Sequence, residues 1–87
     1  MMGFTVHLSR RASKTLRRLP REIHERIINR LRELGNNPFP GGVARIRGLE
    51  DAYRIRVGDY RVLYRILWDE GVILVFRIAP RRAAYER

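Results

Sequence analysis

The alternation of hydrophobic and polar residues at the start of the chain predicts a strand followed by a helix. Residues 4–8 alternate apolar with polar side chains, which is typical of a short half-buried strand. Ser9 follows, and serine is a favoured N-cap residue. Ala12, Leu16 and Leu19 then recur at helical spacing. Since the positions between them are mostly basic, we expect a short amphipathic helix with a positively charged exposed face.

A proline separates this helix from a second one. Pro20 is disfavoured inside a helix but is accepted in the first turn of a new helix. One face of the second helix is marked by four apolar residues: Ile23, Ile27, Leu31 and Leu34. Gly35 is a natural C-cap, and the Asn-Asn-Pro sequence after it opposes continuation. The two helices are predicted to form a hairpin.

Beyond the loop at residues 35–42, the period of the pattern changes to two. Residues 53–57 alternate strictly, and Gly58 with Asp59 predicts a tight turn into a second strand at residues 60–68. A third strand at residues 72–79 is nearly all apolar, which predicts a central or covered position. Pro80 ends this strand, and residues 81–87 form a short basic tail.

The order of elements predicts a single α+β domain spanning residues 1–87. An N-terminal strand and a two-helix hairpin precede a three-strand antiparallel meander, so the helices should pack on one face of a mostly antiparallel sheet. The opposite face should be partly open. Arg54 and Arg56 share one strand face, and with Arg61 and Arg81 they would give this open face a concave basic surface.

Charge is the strongest signal in the composition. The 87 residues include 19 Lys and Arg against 9 Asp and Glu, a formal net charge of +10. Such an excess on a small domain favours a polyanionic partner: RNA, DNA, an anionic membrane or an acidic protein. Lys14 is the one lysine, and arginine suits phosphate because its planar fork binds two oxygens at once.

The composition also excludes several classes of function. There is no cysteine, which excludes disulfides and thiolate metal sites and is typical of a reducing compartment. No cluster of histidine and carboxylate residues has metal-ligand spacing. The apolar runs are too short to cross a bilayer, and residues 1–8 lack the pattern of a signal peptide. We therefore expect a cytoplasmic protein with no metal, no cofactor and no membrane partner.

Three stretches of the chain resemble the RelE/ParE superfamily of toxins. They are Ile-Arg-Gly-Leu at 46–49, Tyr-Arg-Ile-Arg-Val-Gly-Asp-Tyr-Arg-Val-Leu-Tyr at 53–64 and Ile-Ala-Pro-Arg-Arg-Ala-Ala-Tyr at 78–85. The resemblance covers almost the whole chain and implies a RelE-like fold, similar to that of compact microbial ribonucleases. RelE-like members cleave messenger RNA in the ribosomal A site by attack of the ribose 2′-hydroxyl. ParE-like members inhibit DNA gyrase instead, and a small antitoxin neutralises both.

The resemblance also implies roles for individual residues. Arg61 and Arg81 match arginines that contact the scissile phosphate, and Tyr85 matches a C-terminal tyrosine that stacks on a base or assists proton transfer. Arg54 and Arg56 match a basic pair that is often lysine in ribosome-dependent members. Because an arginine essentially keeps its proton, neither should act as a general base, and Tyr85 becomes the better candidate. The residues expected to bind RNA are Arg45, Arg47, Arg54, Arg56, Arg82, Lys14, Arg17 and Arg18.

Some of these residues could instead have a purely structural role. Arg61 could be an ion-pair partner of Asp59 or Glu50, and Tyr85 could simply pack the C-terminus. His7 and His24 lie away from the matching stretches, so we expect neither to be catalytic. The expected function is that of a ribosome-dependent endoribonuclease toxin, whose partners are an acidic antitoxin, the ribosome and mRNA. The alternatives are a ParE-like gyrase inhibitor without nuclease activity and an inactive relative.

Overall fold

The computed structural model describes residues 3–84, which form two helices and a five-stranded sheet. The elements in chain order are β1 (Thr5–Leu8), α1 (Arg10–Arg18), α2 (Arg21–Asn36), β2 (Ala44–Arg45), β3 (Ala52–Val57), β4 (Tyr60–Leu67) and β5 (Val72–Pro80). A 3₁₀ turn at Trp68–Glu70 joins β4 to β5, where the sequence predicts a simple hairpin turn. No helix in the described part of the chain is long and apolar enough to span a membrane.

The sheet has the strand order β1-β5-β4-β3-β2. Neighbouring strands are antiparallel except for β1 and β5, which pair in parallel because the chain leaves β1 through two helices and returns by the meander. β5 lies between β1 and β4, and this central position explains why its sequence is almost wholly apolar. The predicted α+β class, with helices on one face of a mostly antiparallel sheet, is confirmed.

The main core lies between the helices and one face of the sheet. Ala12 and Leu16 of α1, with three residues of α2, pack against the apolar side chains of β3, β4 and β5. The alternation predicted for the meander is confirmed, since Ile55 and Val57 of β3 and Val62 of β4 are buried in this core. The arginines between them therefore point to the other face of the sheet.

The two helices begin where the sequence predicts, but α2 ends later. The Ser9 hydroxyl accepts a hydrogen bond from the Ala12 N–H at 3.1 Å, which confirms the N-cap, and Pro20 caps α2. The predicted C-cap at Gly35 is wrong, because α2 continues to Asn36. Gly35 instead allows β1 to approach closely: its carbonyl accepts the Phe4 N–H at 2.8 Å, and a Cβ there would lie 3.2 Å from the Phe4 carbonyl oxygen.

A β-bulge and a small second cluster shape the face of the sheet that carries no helices. Leu63 pairs with Arg77 while Tyr64 pairs with Val75, so Phe76 is the extra residue of β5. Leu63, Ala79 and Ala84 form a second cluster of buried residues. Phe76 packs against this cluster. The open face is therefore covered at this point by the turn that follows β5.

Tyr64 gives the core its largest fully buried side chain and a polar anchor. Its hydroxyl donates to the Pro38 carbonyl at 2.6 Å, which fixes the loop after α2 to the middle of the sheet. We expect Tyr64→Phe to lower the free energy of unfolding by about 1–3 kcal/mol, because the partly buried carbonyl loses its donor. Urea titration of both proteins measures the change, and Tyr60→Phe at a half-buried tyrosine is the matched control.

Tyr64 should also make the stability of the fold depend on pH. Burial, followed by the neighbouring Tyr53, raises the pKa of the Tyr64 phenol well above its ordinary value. A raised folded-state pKa stabilises the fold fully below the unfolded value of about 10, and that stabilisation declines as the pH rises further. Urea titrations above pH 10 should therefore show a steeper loss of stability in the wild type than in Tyr64→Phe. Parallel curves would contradict this assignment.

Candidate functional site

The open face of the sheet carries a row of arginines from two neighbouring strands. The register pairs Arg56 of β3 directly with Arg61 of β4, and Arg54 with Leu63. Paired residues of an antiparallel ladder point to the same side of the sheet. Since Leu63 belongs to the cluster on the open face, these arginines share that face, opposite to the helices.

The Arg56–Arg61 pair places two like charges opposite each other, an arrangement that weakens a sheet unless something compensates for it. Arg61 is only 7% exposed, and its guanidinium Nη1 donates to the carbonyl oxygens of Gly58 at 3.3 Å and Tyr60 at 3.0 Å. Arg56 is exposed to solvent. The Arg61 side chain therefore holds the turn between β3 and β4, while the Arg56 side chain is available to a partner.

Asp59 and Glu50 were the ion-pair partners considered for Arg61. The two ion pairs within residues 3–84 join Arg21 to Glu25 and Arg30 to Glu33, and both lie on α2. Neither Asp59 nor Glu50 takes part in them. In the described contacts, Arg61 donates to the backbone carbonyls of Gly58 and Tyr60.

The turn after β5 brings Arg81 and Arg82 to the same end of the sheet. The Arg81 N–H donates to the Asp59 carbonyl at 2.8 Å, which continues the β4–β5 ladder by one pair. Arg77 Nη2 donates to the Ala83 carbonyl at 2.6 Å, and Ala84 is buried. Residues 81–84 are thus a turn docked on the sheet rather than the start of a free tail. Tyr85 lies outside the described residues.

An open pocket of about 520 Å³ forms between these two turns. Its lining residues are Asp59, Tyr60, Pro80, Arg81 and Arg82. Arg61 of β4 follows the turn residue Asp59 by two positions. The structure therefore brings together, at one end of the open face, the arginines that the sequence singled out from two separate stretches.

Other predicted RNA-binding residues lie elsewhere. Arg54 is half-buried and donates to the Gly42 carbonyl at 3.2 Å, so it supports the loop before β2. Arg45 pairs with Tyr53 and so points to the helix side of the sheet edge, and Arg47 is exposed in the loop after β2. The α1 residues are exposed on the far side of the sheet: Lys14, Arg17 and Arg18. The predicted RNA-binding residues thus do not all lie on one surface.

The histidines occupy structural or remote positions. His24 Nδ1 donates to the Leu16 carbonyl at 2.8 Å and joins α2 to the end of α1. His7 is exposed on β1, which β5 separates from β4. Among residues 3–84 there is no group of three side chains that could hold a metal ion.

Sequence reasoning missed two residues of this region. Arg77 sits in an apolar strand whose period is broken by the bulge, so no pattern indicated that its side chain holds the Ala83 carbonyl. Asp59 was interpreted only as a turn former and as a possible partner of Arg61. Its place in the pocket depends on the contact between Asp59 and Arg81, which are 22 residues apart in sequence, and no local signal contains it.

Comparisons with known proteins cover nearly the whole chain. Residues 6–85 match the family model described as the ParE toxin of the type II toxin–antitoxin system parDE. The RelE1 protein of Methanocaldococcus jannaschii is 33% identical over 88 residues, covering 98% of each chain. Toxin RelG of Mycobacterium tuberculosis is 29% identical over 87 residues, covering 99% of this chain and all of the relative.

Solved structures show the same likeness. The toxin chain in the crystal structure of the archaeal RelE–RelB complex from Pyrococcus horikoshii superposes with a TM-score of 0.82 at 32% identity. The superposition covers 95% of this chain and all of that one. A YoeB/ParE toxin from Agrobacterium tumefaciens gives a TM-score of 0.78 at 17% identity, which shows the fold alone.

Proposed function

Because the chain belongs to the RelE/ParE superfamily of toxins from type II toxin–antitoxin systems, we propose that it arrests translation as a RelE-like endoribonuclease. In this proposal the toxin enters the ribosomal A site in the cytoplasm and cleaves the messenger RNA there. The ribose 2′-hydroxyl attacks the neighbouring phosphate, and no metal takes part.

The observation that carries the proposal is the meeting of Arg56, Arg61 and Arg81 at one end of the open face. Arg56 and Arg61 lie directly opposite each other and repel, and a bound polyanion would offset this repulsion. Arginine forks match the oxygens of a phosphate group, and several around one phosphate would stabilise the charge that develops during cleavage.

The positions of these residues suggest a division of labour. Exposed Arg81 would bind the scissile phosphate, and exposed Arg56 would bind a neighbouring one. Buried Arg61 would act partly by holding the β3–β4 turn in place. Because none of them can accept a proton at neutral pH, the arginines alone supply binding and charge stabilisation.

The basic face of α1 suggests how the ribosome would be engaged. Lys14, Arg17 and Arg18 are exposed on α1, which packs on the helix side of the sheet, so they would bind ribosomal RNA while the open face binds mRNA. Contacts of this kind release counterions and weaken as salt rises. Because these contacts would add affinity for the ribosome, we expect the toxin to act on ribosome-bound message rather than on free RNA.

An acidic antitoxin is the proposed protein partner. The structural relatives include toxins solved as complexes with an antitoxin, RelE with RelB from Pyrococcus horikoshii among them. With a net charge of +10, the chain would attract an acidic partner that covers the open face and blocks access of RNA to the pocket.

Two assays run side by side test the proposed function. Purified toxin should inhibit protein synthesis in a bacterial translation extract, and it should leave DNA supercoiling by gyrase unchanged. The inhibition should disappear when the adjacent gene's antitoxin product is added. Blocked supercoiling with normal protein synthesis would overturn the proposal.

A gyrase inhibitor is the second candidate, and two observations favour it. The family model matched over residues 6–85 is named for ParE, and the strand pair at Arg54 and Arg56 lacks the lysine often found in ribosome-dependent relatives. A gyrase inhibitor needs no proton-transfer groups. The supercoiling assay distinguishes the two candidates directly.

A further inference from the structure

The pocket between the two turns contains a carboxylate among its arginines. Asp59 lines it together with Arg81 and Arg82. The Asp59 carbonyl accepts the Arg81 N–H, so these two residues are direct neighbours across the ladder, and Arg61 follows two positions later. Side chains at such positions lie within about 5 Å of each other at their Cβ atoms.

Within residues 3–84, the Asp59 carboxylate takes part in no ion pair and accepts no hydrogen bond. The ion pairs of this part of the chain belong to Glu25 and Glu33, and Asp59 is exposed to solvent. This carboxylate shares the pocket with Arg81 and Arg82 and is free to contact a bound molecule. A carboxylate can accept a proton, which an arginine cannot do.

We propose that Asp59 is the general base of the cleavage reaction, an inference that rests on the proposed ribonuclease function. The reaction needs a group that takes the proton of the 2′-hydroxyl. Arginine cannot do this, His7 is on the far side of β5, and the phenol of Tyr64 is buried on the other face of the sheet. Tyr85, the candidate that the resemblance implies, lies outside the described residues. Asp59 is the carboxylate that the described pocket places beside the phosphate-binding arginines.

The proposed step balances without any further reagent. The Asp59 carboxylate accepts the 2′-hydroxyl proton as the 2′-oxygen forms a bond to phosphorus. The bond from phosphorus to the 5′-oxygen breaks, and that oxygen leaves with a proton drawn from water. The products are a 2′,3′-cyclic phosphate and a 5′-hydroxyl end. Arg81 stabilises the charge on the phosphate oxygens, and Asp59 afterwards returns its proton to solvent.

Asp59→Asn tests the proposal because it keeps the size and the backbone contacts of the residue but removes the proton acceptor. Purified ribosomes with a defined message give single-turnover cleavage rates from pH 5 to pH 8. A general base contributes about 100- to 10,000-fold, so at least a 100-fold loss is expected at neutral pH. The concentration of Asp59→Asn that gives a half-maximal rate should not exceed that of the wild type, because binding to the ribosome is unchanged.

A purely electrostatic role predicts the opposite sign. If Asp59 only repelled RNA, removing its charge would tighten binding and leave the rate constant unchanged or higher. Asp59→Glu keeps a carboxylate, so it should cleave faster than Asp59→Asn but more slowly than the wild type. This variant keeps the test decisive if Asp59→Asn folds poorly. Asp69→Asn, at an exposed aspartate beyond β4, is the matched control and should cleave like the wild type.

Two outcomes would overturn the inference and are distinguishable from each other. Asp59→Asn cleaving within threefold of the wild type, with the same pH profile, would exclude Asp59 as the base while the ribonuclease function stands. A wild-type toxin that cleaves no message on ribosomes at any pH would remove the proposed function and the inference with it.

Discussion

Arg81→Ala is expected to lower the cleavage of ribosome-bound mRNA by about 100- to 1,000-fold, the effect of removing one group that stabilises transition-state charge. Stability should change by less than about 0.5 kcal/mol, because the Arg81 side chain is exposed and its structural contact is made by the backbone N–H. Single-turnover cleavage and urea titration of the same preparations measure the two quantities.

Arg32→Ala is the matched control for this variant. Arg32 is also exposed, and its guanidinium bonds to Asn29 on the helix side of the molecule, away from the pocket. Both variants lower the net charge by one, so a general loss of attraction to the ribosome would affect them equally. Equal cleavage rates for the two variants would contradict a specific role for Arg81.

Arg61→Ala should lose activity by a similar factor and also lose stability. The buried guanidinium donates to the Gly58 and Tyr60 carbonyls, so truncation leaves these acceptors without that donor at a cost of about 1–3 kcal/mol. Urea titration should therefore separate this variant from Arg81→Ala, although both cleave poorly.

Arg61→Lys refines that prediction. Lysine keeps the positive charge but lacks the guanidinium group, whose Nη1 donates to both carbonyls. We expect intermediate stability and cleavage that stays well below the wild type, because the β3–β4 turn carrying Asp59 would be held less firmly. Full activity in Arg61→Lys would show that charge alone is needed and that the position of the turn does not depend on this side chain.

Much of the fold could be predicted because its signals are local. The alternation in residues 53–57, the cap at Ser9 and the break at Pro20 each depend on a few neighbouring residues, and the structure confirms them. The end of α2 could not be predicted, since Gly35 serves a contact with Phe4 from a different element. The two-residue β2 is too short to show any period.

The candidate site was predictable only in part, for the same physical reason. Strand alternation places Arg54 and Arg56 on one face, and the resemblance to known toxins adds Arg61, Arg81 and Tyr85. Which of them meet depends on register between strands, and register put Arg54 against the Gly42 loop and Arg56 opposite Arg61. The basic exposed face of α1 was predicted from its helical spacing, and Lys14, Arg17 and Arg18 are exposed in the structure.

Primer extension on a defined message, with and without ribosomes, tests the proposed ribonuclease most directly. Wild-type toxin should produce new 5′ ends within ribosome-occupied codons, and these ends should be absent when ribosomes are left out and when Arg81→Ala replaces the wild type. Intact message on actively translating ribosomes, at toxin concentrations that stop growth of the host, would contradict the ribonuclease function and leave gyrase as the target to examine.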